Sequence, residues 1–207
     1  MADWFRSPDW SDDAQRDFES RLLRSRLGSR PQYLRIKALA IEAAGQSESA
    51  TALRQRIVAD FADTWPEVAF AHERLGDSHR TAGDLAGADA ECRLALKVSP
   101  SLSGTTGEVH IKLGEVLLES GTGTIAEIEE LLAAAKSHAK LNSTVFRFNV
   151  LVARLASATG DIERRRRAAR AALDLVDADP QFSRHPTVGL VQAAPALLQE
   201  LTTMASA

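Results

Sequence analysis

Apolar residues recur at three- and four-residue spacing along most of the chain, and no alternating run of Val, Ile and Thr persists. One face of a helix returns every 3.6 residues and one face of a strand every two, so the pattern predicts an all-α protein. Ser11 to about Leu27 reads as one amphipathic helix with Ala14, Phe18 and Leu22 on a single stripe. Four start signals follow at Ser29-x-x-Gln32, Thr64-x-x-Glu67, Thr105-x-x-Glu108 and Thr124-x-x-Glu127. Each spells a capping box, in which the hydroxyl accepts from a free backbone N–H and the Glu or Gln reaches back. Pro31 and Pro66 fall in first turns, where no N–H is missed. Gly45, Gly83, Gly121 and Gly160 are the stop signals, because a left-handed C-terminal residue is easiest without a Cβ. Pro180 to Pro186 reads as a loop, and Pro195 opens a last helix that ends near Met204.

The stop glycines recur at intervals of 38, 38 and 39 residues, which is an internal repeat. Sliding by the same intervals aligns Ala38, Gly76, Gly114 and Ala153, all small, as a close helix-helix contact requires. Leu34, His72, His110 and Asn149 form another column, and Ala50, Ala88 and Ala126 a third that Arg165 breaks. The second unit reads His72-x2-Leu75-Gly76-x2-His79, then Gly83-Asp84, Ala88-x3-Cys92, Ala95-Leu96 and Pro100. This resembles the tetratricopeptide repeat, whose pattern is W-x2-L-G-x2-Y, then A-x3-F, then P. Leu113-Gly114, Leu117, Ala126 and Ala133 keep the pattern in the third unit, whereas Lys37 in the first and Arg165 in the fourth depart from it.

The resemblance implies a solenoid of about four helix-turn-helix repeats over 31–179. An N-terminal capping helix would occupy 1–30 and a C-terminal loop and capping helix 180–207, all in one structural domain. It also implies a non-catalytic scaffold that binds a protein or peptide in a concave groove. Adaptor, co-chaperone, secretion-chaperone and toxin-neutralising immunity proteins all use such grooves. A small-ligand or peptide sensor, and an enzyme on a helical scaffold, are the competing classes.

The 207 residues carry 25 Lys and Arg against 28 Asp and Glu, a net charge of −3, too balanced for bulk attraction to nucleic acid or an anionic membrane. No apolar run approaches the ~20 residues a membrane span needs. The first ten residues lack the basic and apolar regions of a signal peptide, so a cytoplasmic address is expected. Cys92, the one cysteine, makes no intramolecular disulfide.

Candidate chemistry is sparse. His72 and His79 stand seven residues apart, ~10.5 Å along a helix, too far for one metal ion. With His110 they read as packing residues in aromatic columns, and Cys92 as a buried apolar residue. No metal, cofactor or catalytic set is expected. Gly104-Thr-Thr-Gly107 lacks the strand and Gly-Lys of a phosphate loop and reads as an interhelical turn. Asn142-Ser-Thr144 reads as a helix N-cap region, and the run Arg164 to Arg167 with Arg170 as a solvated face. Trp4, Phe5 and Trp10 either pack on the first helices or anchor a partner, and His185, beside Arg184 and Pro186, either serves a function or simply belongs to an ordered loop wrapping the last helix pair.

With the patterned positions assigned to packing, the stripe left for the groove is Arg35, Leu39, Glu42; Glu73, Asp77, Arg80; Ile111, Glu115, Leu118; and Val150, Arg154, Ser157. Its charged members, Arg35, Glu42, Glu73, Asp77, Arg80, Glu115 and Arg154, are the expected partner-binding residues. The acidic middle suits a protein or peptide with a basic segment, bound by a monomer, although a plain solvated face would carry the same polarity.

Overall fold

The computed structural model describes residues 4–206; Met1, Ala2, Asp3 and Ala207, the outer ends of the expected capping segments, lie outside them. Among the described residues there are α-helices and 3-10 turns and no strand. The chain falls into two compact units, 1–109 and 110–207, a division inside the span that the repeat pattern treats as continuous.

The first unit holds α1 (Asp12–Arg24), α2 (Arg30–Ala43), α3 (Ser47–Asp60), α4 (Trp65–Thr81) and α5 (Leu85–Val98). α2 and α3 form one helical hairpin and α4 and α5 the next, with Gly45 and Gly83 in the turns at φ 84° and 79°. A side chain at such φ is strained, so the glycine stops the helix for the reason its sequence spacing suggested. Gly76 packs on α5: an added Cβ would lie 3.2 Å from Cys92 Sγ and 3.5 Å from the Ala88 carbonyl oxygen. The core of the unit gathers Phe18 and Leu22 of α1 with Leu34, Ala38 and Ile41 of α2 and Leu53 and Ile57 of α3. Each such large side chain contributes about 1.5–3 kcal/mol on burial.

α1 ends at Arg24, and Leu27–Ser29 turns as a short 3-10 segment. Ahead of α1, Trp4, Phe5 and Trp10 pack on the same core, Phe5 stacking on Tyr33 at 4.7 Å. Lys37, buried, holds this segment down by donating Nζ to the carbonyls of Ser7 at 2.7 Å and Asp9 at 2.8 Å, with the Trp10 ring 5.0 Å away. The departure of Lys37 from the repeat pattern thereby has a reason: its ammonium replaces an apolar contact with a clamp on the N-terminal strap. Burial lowers its pKa, against a smaller opposing pull from Asp9.

The second unit holds α6 (Val109–Ser120), α7 (Ile125–Lys136), α8 (Asn142–Thr159), α9 (Ile162–Leu173) and α10 (Pro195–Ser206), α6 beginning at the unit boundary. Gly121 and Gly160, at φ 68° and 75°, stop α6 and α8. Gly114 permits the close approach of α8, since an added Cβ would meet Leu151 Cδ2 at 2.7 Å. Phe146, Val150 and Ala153 of α8, Ala168, Ala169 and Ala172 of α9, and Leu201 and Ala205 of α10 make its core.

The capping boxes fare less well than the glycines. Thr124 accepts from the Glu127 N–H at 3.1 Å, but Ser29 and Thr64 make no side-chain cap. Thr105 lies in a turn four residues before α6, donating its hydroxyl to the Leu102 carbonyl at 2.7 Å. Ser11, Asp84 and Asp161 cap instead, the last two accepting from Gly87 and Arg164 N–H at 2.9 and 3.0 Å. The Asn142-Ser-Thr144 segment does open a helix, with Leu141 at the N-cap and no side-chain cap, and its first-turn donors go to another loop. The Asn142 N–H donates to Gln181 Oε1 at 2.6 Å and the Ser143 N–H to the Gly189 carbonyl at 2.9 Å. The Pro180–Pro186 loop is thus tied to α8, while His185 stays exposed.

Candidate functional site

A groove of about 590 Å³ opens in the first unit between the N-terminal half of α3 and the C-terminal half of α4, reached by the end of α2. α4 contributes Arg74, Asp77 and Ser78, α3 contributes Glu48 and Thr51, and α2 contributes Glu42. Arg74, Asp77 and Ser78 share the groove because residues three or four apart lie on one helical face.

Glu42 is the electrostatic centre. Arg74 Nη2 donates to its Oε2 at 2.7 Å, and Arg54, a buried arginine of α3, brings Nη2 within 2.7 Å of the same oxygen. Burial pushes the Glu42 carboxyl up, but the hydrogen bonds and charges of Arg54 and Arg74 outweigh it and hold its pKa below 4.5. Arg74 Nη1 donates to Asp77 at 3.0 Å, so both of its terminal nitrogens are engaged. Thr51 reaches Ser78 Oγ at 3.4 Å across the groove.

The seven expected partner-binding residues divide by depth and by partner. Glu42 and Asp77 line the groove. Arg35 is paired with Glu67 at 2.5 Å, and Arg154 forms a two-bond pair with Glu200 at 2.8 and 2.7 Å. Glu115, 8% exposed, takes a two-bond pair from Arg147 at 2.7 and 2.6 Å. Glu73, 0% exposed, accepts from Thr106 and anchors the loop before α6. Arg80 is half-buried on α4. Glu73, Glu115, Ile111 and Val150 are buried and so do not present the solvent-facing stripe expected of them. The helical period identifies a face but not the depth at which a neighbouring helix covers it.

The histidines are engaged as well. His72 Nδ1 is 2.7 Å from Glu91 on α5, and His79 Nδ1 is 2.8 Å from Asp84, which also caps α5. His110 and His138 stack at 6.1 Å between centroids. Cys92 is buried, and no cluster of three metal-ligating side chains occurs among the described residues. The arginine run of α9 is partly tied down: Arg164 pairs with Glu129 of α7, and Arg170 donates to the Ala205 carbonyl at 3.3 Å. Among the described residues no helix is long and apolar enough to cross a membrane.

Sequence reasoning missed Glu48, Thr51 and Ser78 as groove residues. Their signal, a polar run on one face of α3 opposite small polar residues of α4, was present, but it gains meaning only once the two helices are adjacent. No protein-family model matches the chain, and no curated protein matches it.

Proposed function

We propose that this chain is a non-catalytic protein-interaction scaffold built from tetratricopeptide-like helical hairpins, binding a protein or peptide that carries a basic segment. One observation supports it above the rest: within each unit, helices two apart in the chain are strutted by ion pairs. In the first unit Arg56 of α3 meets Glu19 of α1 at 2.5 Å, and α2 meets α4 through both Arg35–Glu67 and Glu42–Arg74. In the second unit Glu115–Arg147 joins α6 to α8, Glu129–Arg164 joins α7 to α9, and Arg154–Glu200 joins α8 to α10. Stacking one hairpin on the next brings like helices side by side, which is the neighbour relation of a helical-repeat protein.

Glu115 is held in one of these struts, Glu73 is bound by Thr106, and His72 and His79 lie against Glu91 and Asp84. Binding is then the activity, and acidic groups at the groove favour a cationic partner. The test is affinity capture with the full chain from its native lysate, followed by reconstitution from purified components. A stoichiometric protein partner whose binding weakens with rising salt supports this reading. Chemical turnover of a small molecule by the purified chain, with no protein partner, overturns it.

A further inference from the structure

We propose that the corner where α1 turns into α2 is a docking surface for an anionic lipid bilayer, with Leu23 and Leu27 entering the interfacial layer and Arg24, Arg26 and Arg30 meeting the headgroups. The proposal goes beyond the scaffold reading and does not depend on what the scaffold binds. Leu23 and Leu27 are the most exposed large apolar side chains among the described residues, at 65% and 66%. Leu23 stands in the last turn of α1, and Leu27 opens the 3-10 turn after it. From Ser20 to Ile41 the sequence carries Arg21, Arg24, Arg26, Arg30, Arg35 and Lys37 and no carboxylate, a local excess that the net charge of −3 conceals. Arg21 pairs with Asp17, Arg35 pairs with Glu67, and Lys37 is buried. Arg24, Arg26 and Arg30 meet no carboxylate among the described residues. Arg24 and Arg30 donate to the backbone carbonyls of Ser20 and Leu23 at 3.1 and 2.7 Å, which fixes their direction and leaves their charge.

Shape and charge layout select the occupant. Arg26, Leu27 and Gly28 are all exposed, and a Cβ added at Gly28 would meet nothing within 4 Å, so the corner projects and forms no cleft for a partner's segment. A fluid interface accepts projecting side chains without a matching pocket, and an apolar insertion beside basic groups supplies the two signals that together give reversible adsorption. α1 also separates its charges, with Asp12 and Asp13 in its first turn and Arg21 and Arg24 in its last. At 1.5 Å per residue those acids lie about 15 Å from the corner, beyond the screening length of about 8 Å at physiological salt. Glu19 is taken by Arg56 of α3, which also holds Asp60. An anionic surface therefore meets arginines before it meets an unpaired carboxylate of α1.

The experiment is co-sedimentation of the purified full chain with phosphatidylcholine vesicles, with and without about 30% phosphatidylserine. Binding to the anionic vesicles that weakens as salt rises, and none to pure phosphatidylcholine, is expected. Arg24→Gln together with Arg26→Gln should weaken it at least about tenfold, at about fivefold per arginine. Leu23→Asn together with Leu27→Asn keeps every charge and should still weaken it about tenfold, which separates insertion from simple ionic attraction. All four positions are exposed, so both variants should melt with the parent. A readout that needs no variant is amide exchange, which should slow most strongly at 21–30 when anionic vesicles are added. No binding to those vesicles, equal binding to both kinds, a leucine variant that binds like the parent, or protection mapped away from the corner would overturn the proposal. So would a soluble acidic protein held through this corner by a chain that leaves anionic vesicles unbound.

Discussion

Glu73 and Thr106, far apart in the chain, are joined by two hydrogen bonds: the Thr106 N–H donates to Glu73 Oε2 at 2.8 Å and its hydroxyl to Oε1. A fully buried carboxylate on α4 thereby anchors the loop that leads into α6. Next to it Gly104 lies so close to Pro66 that an added Cβ would stand 2.7 Å from the Pro66 carbonyl oxygen. Glu73→Ala is expected to destabilise the protein by about 2–3 kcal/mol, since bonds to a charged acceptor are lost and buried donors are left unpaired. Urea unfolding checks this, and amide exchange should rise first in the 99–108 loop.

The repeat register makes opposite forecasts for two positions of one column. Ala88 is wholly buried on α5, whereas Arg165 is half-buried on α9 with its Nε buried and lacking an acceptor. Arg165→Ala should leave stability unchanged or raise it by up to about 1 kcal/mol. Ala88→Arg should cost at least about 3 kcal/mol through overpacking. Equal losses in thermal melts would refute the shared register.

Gly76 and Gly114 share another column yet differ in room. A Cβ at Gly76 has 3.2 Å to the nearest atom, the Cys92 sulfur, and replacing glycine inside a helix is intrinsically favourable. Gly76→Ala should therefore fall within about 0.5 kcal/mol of the parent. At Gly114 the Cβ would press on the buried Leu151 at 2.7 Å, so Gly114→Ala should lose about 1–3 kcal/mol. Denaturant midpoints of the two variants decide it.

Burial first, and the neighbouring His138 second, hold the His110 pKa below its ordinary 6.5. The unfolded chain then takes up a proton at His110 at a higher pH than the folded one, so stability falls as pH drops through 6.5 towards the folded value. The depressed carboxyls Glu42 and Glu200 act in a lower window, their stabilisation being lost as pH falls below the ordinary carboxylate value of 4.5. Melting temperatures between pH 7 and 5 should therefore slope downward in the parent and flatten in His110→Phe. Parallel slopes would show that His110 does not carry the linkage.

What the sequence determined by itself is what the backbone determines locally. The 3.6-residue period set the helices, and Gly45, Gly83, Gly121 and Gly160 set their turns, because a left-handed φ penalises a Cβ whatever surrounds it. The small columns at Gly76 and Gly114 were legible for a similar reason, since only close approach explains them. Tertiary structure decided the fate of the polar groups. Thr64 and Thr105 carry the same capping-box spelling as Thr124, yet only Thr124 caps its helix. The Thr64 box loses its acid to a neighbour, Glu67 pairing with Arg35 instead. Glu73 and Glu115 occupy the same helical face as Asp77, but a loop and Arg147 cover them while Asp77 faces the groove. A carboxylate's partner is chosen by which helix lies within about 3 Å of it, and periodicity along one chain carries no information about that distance.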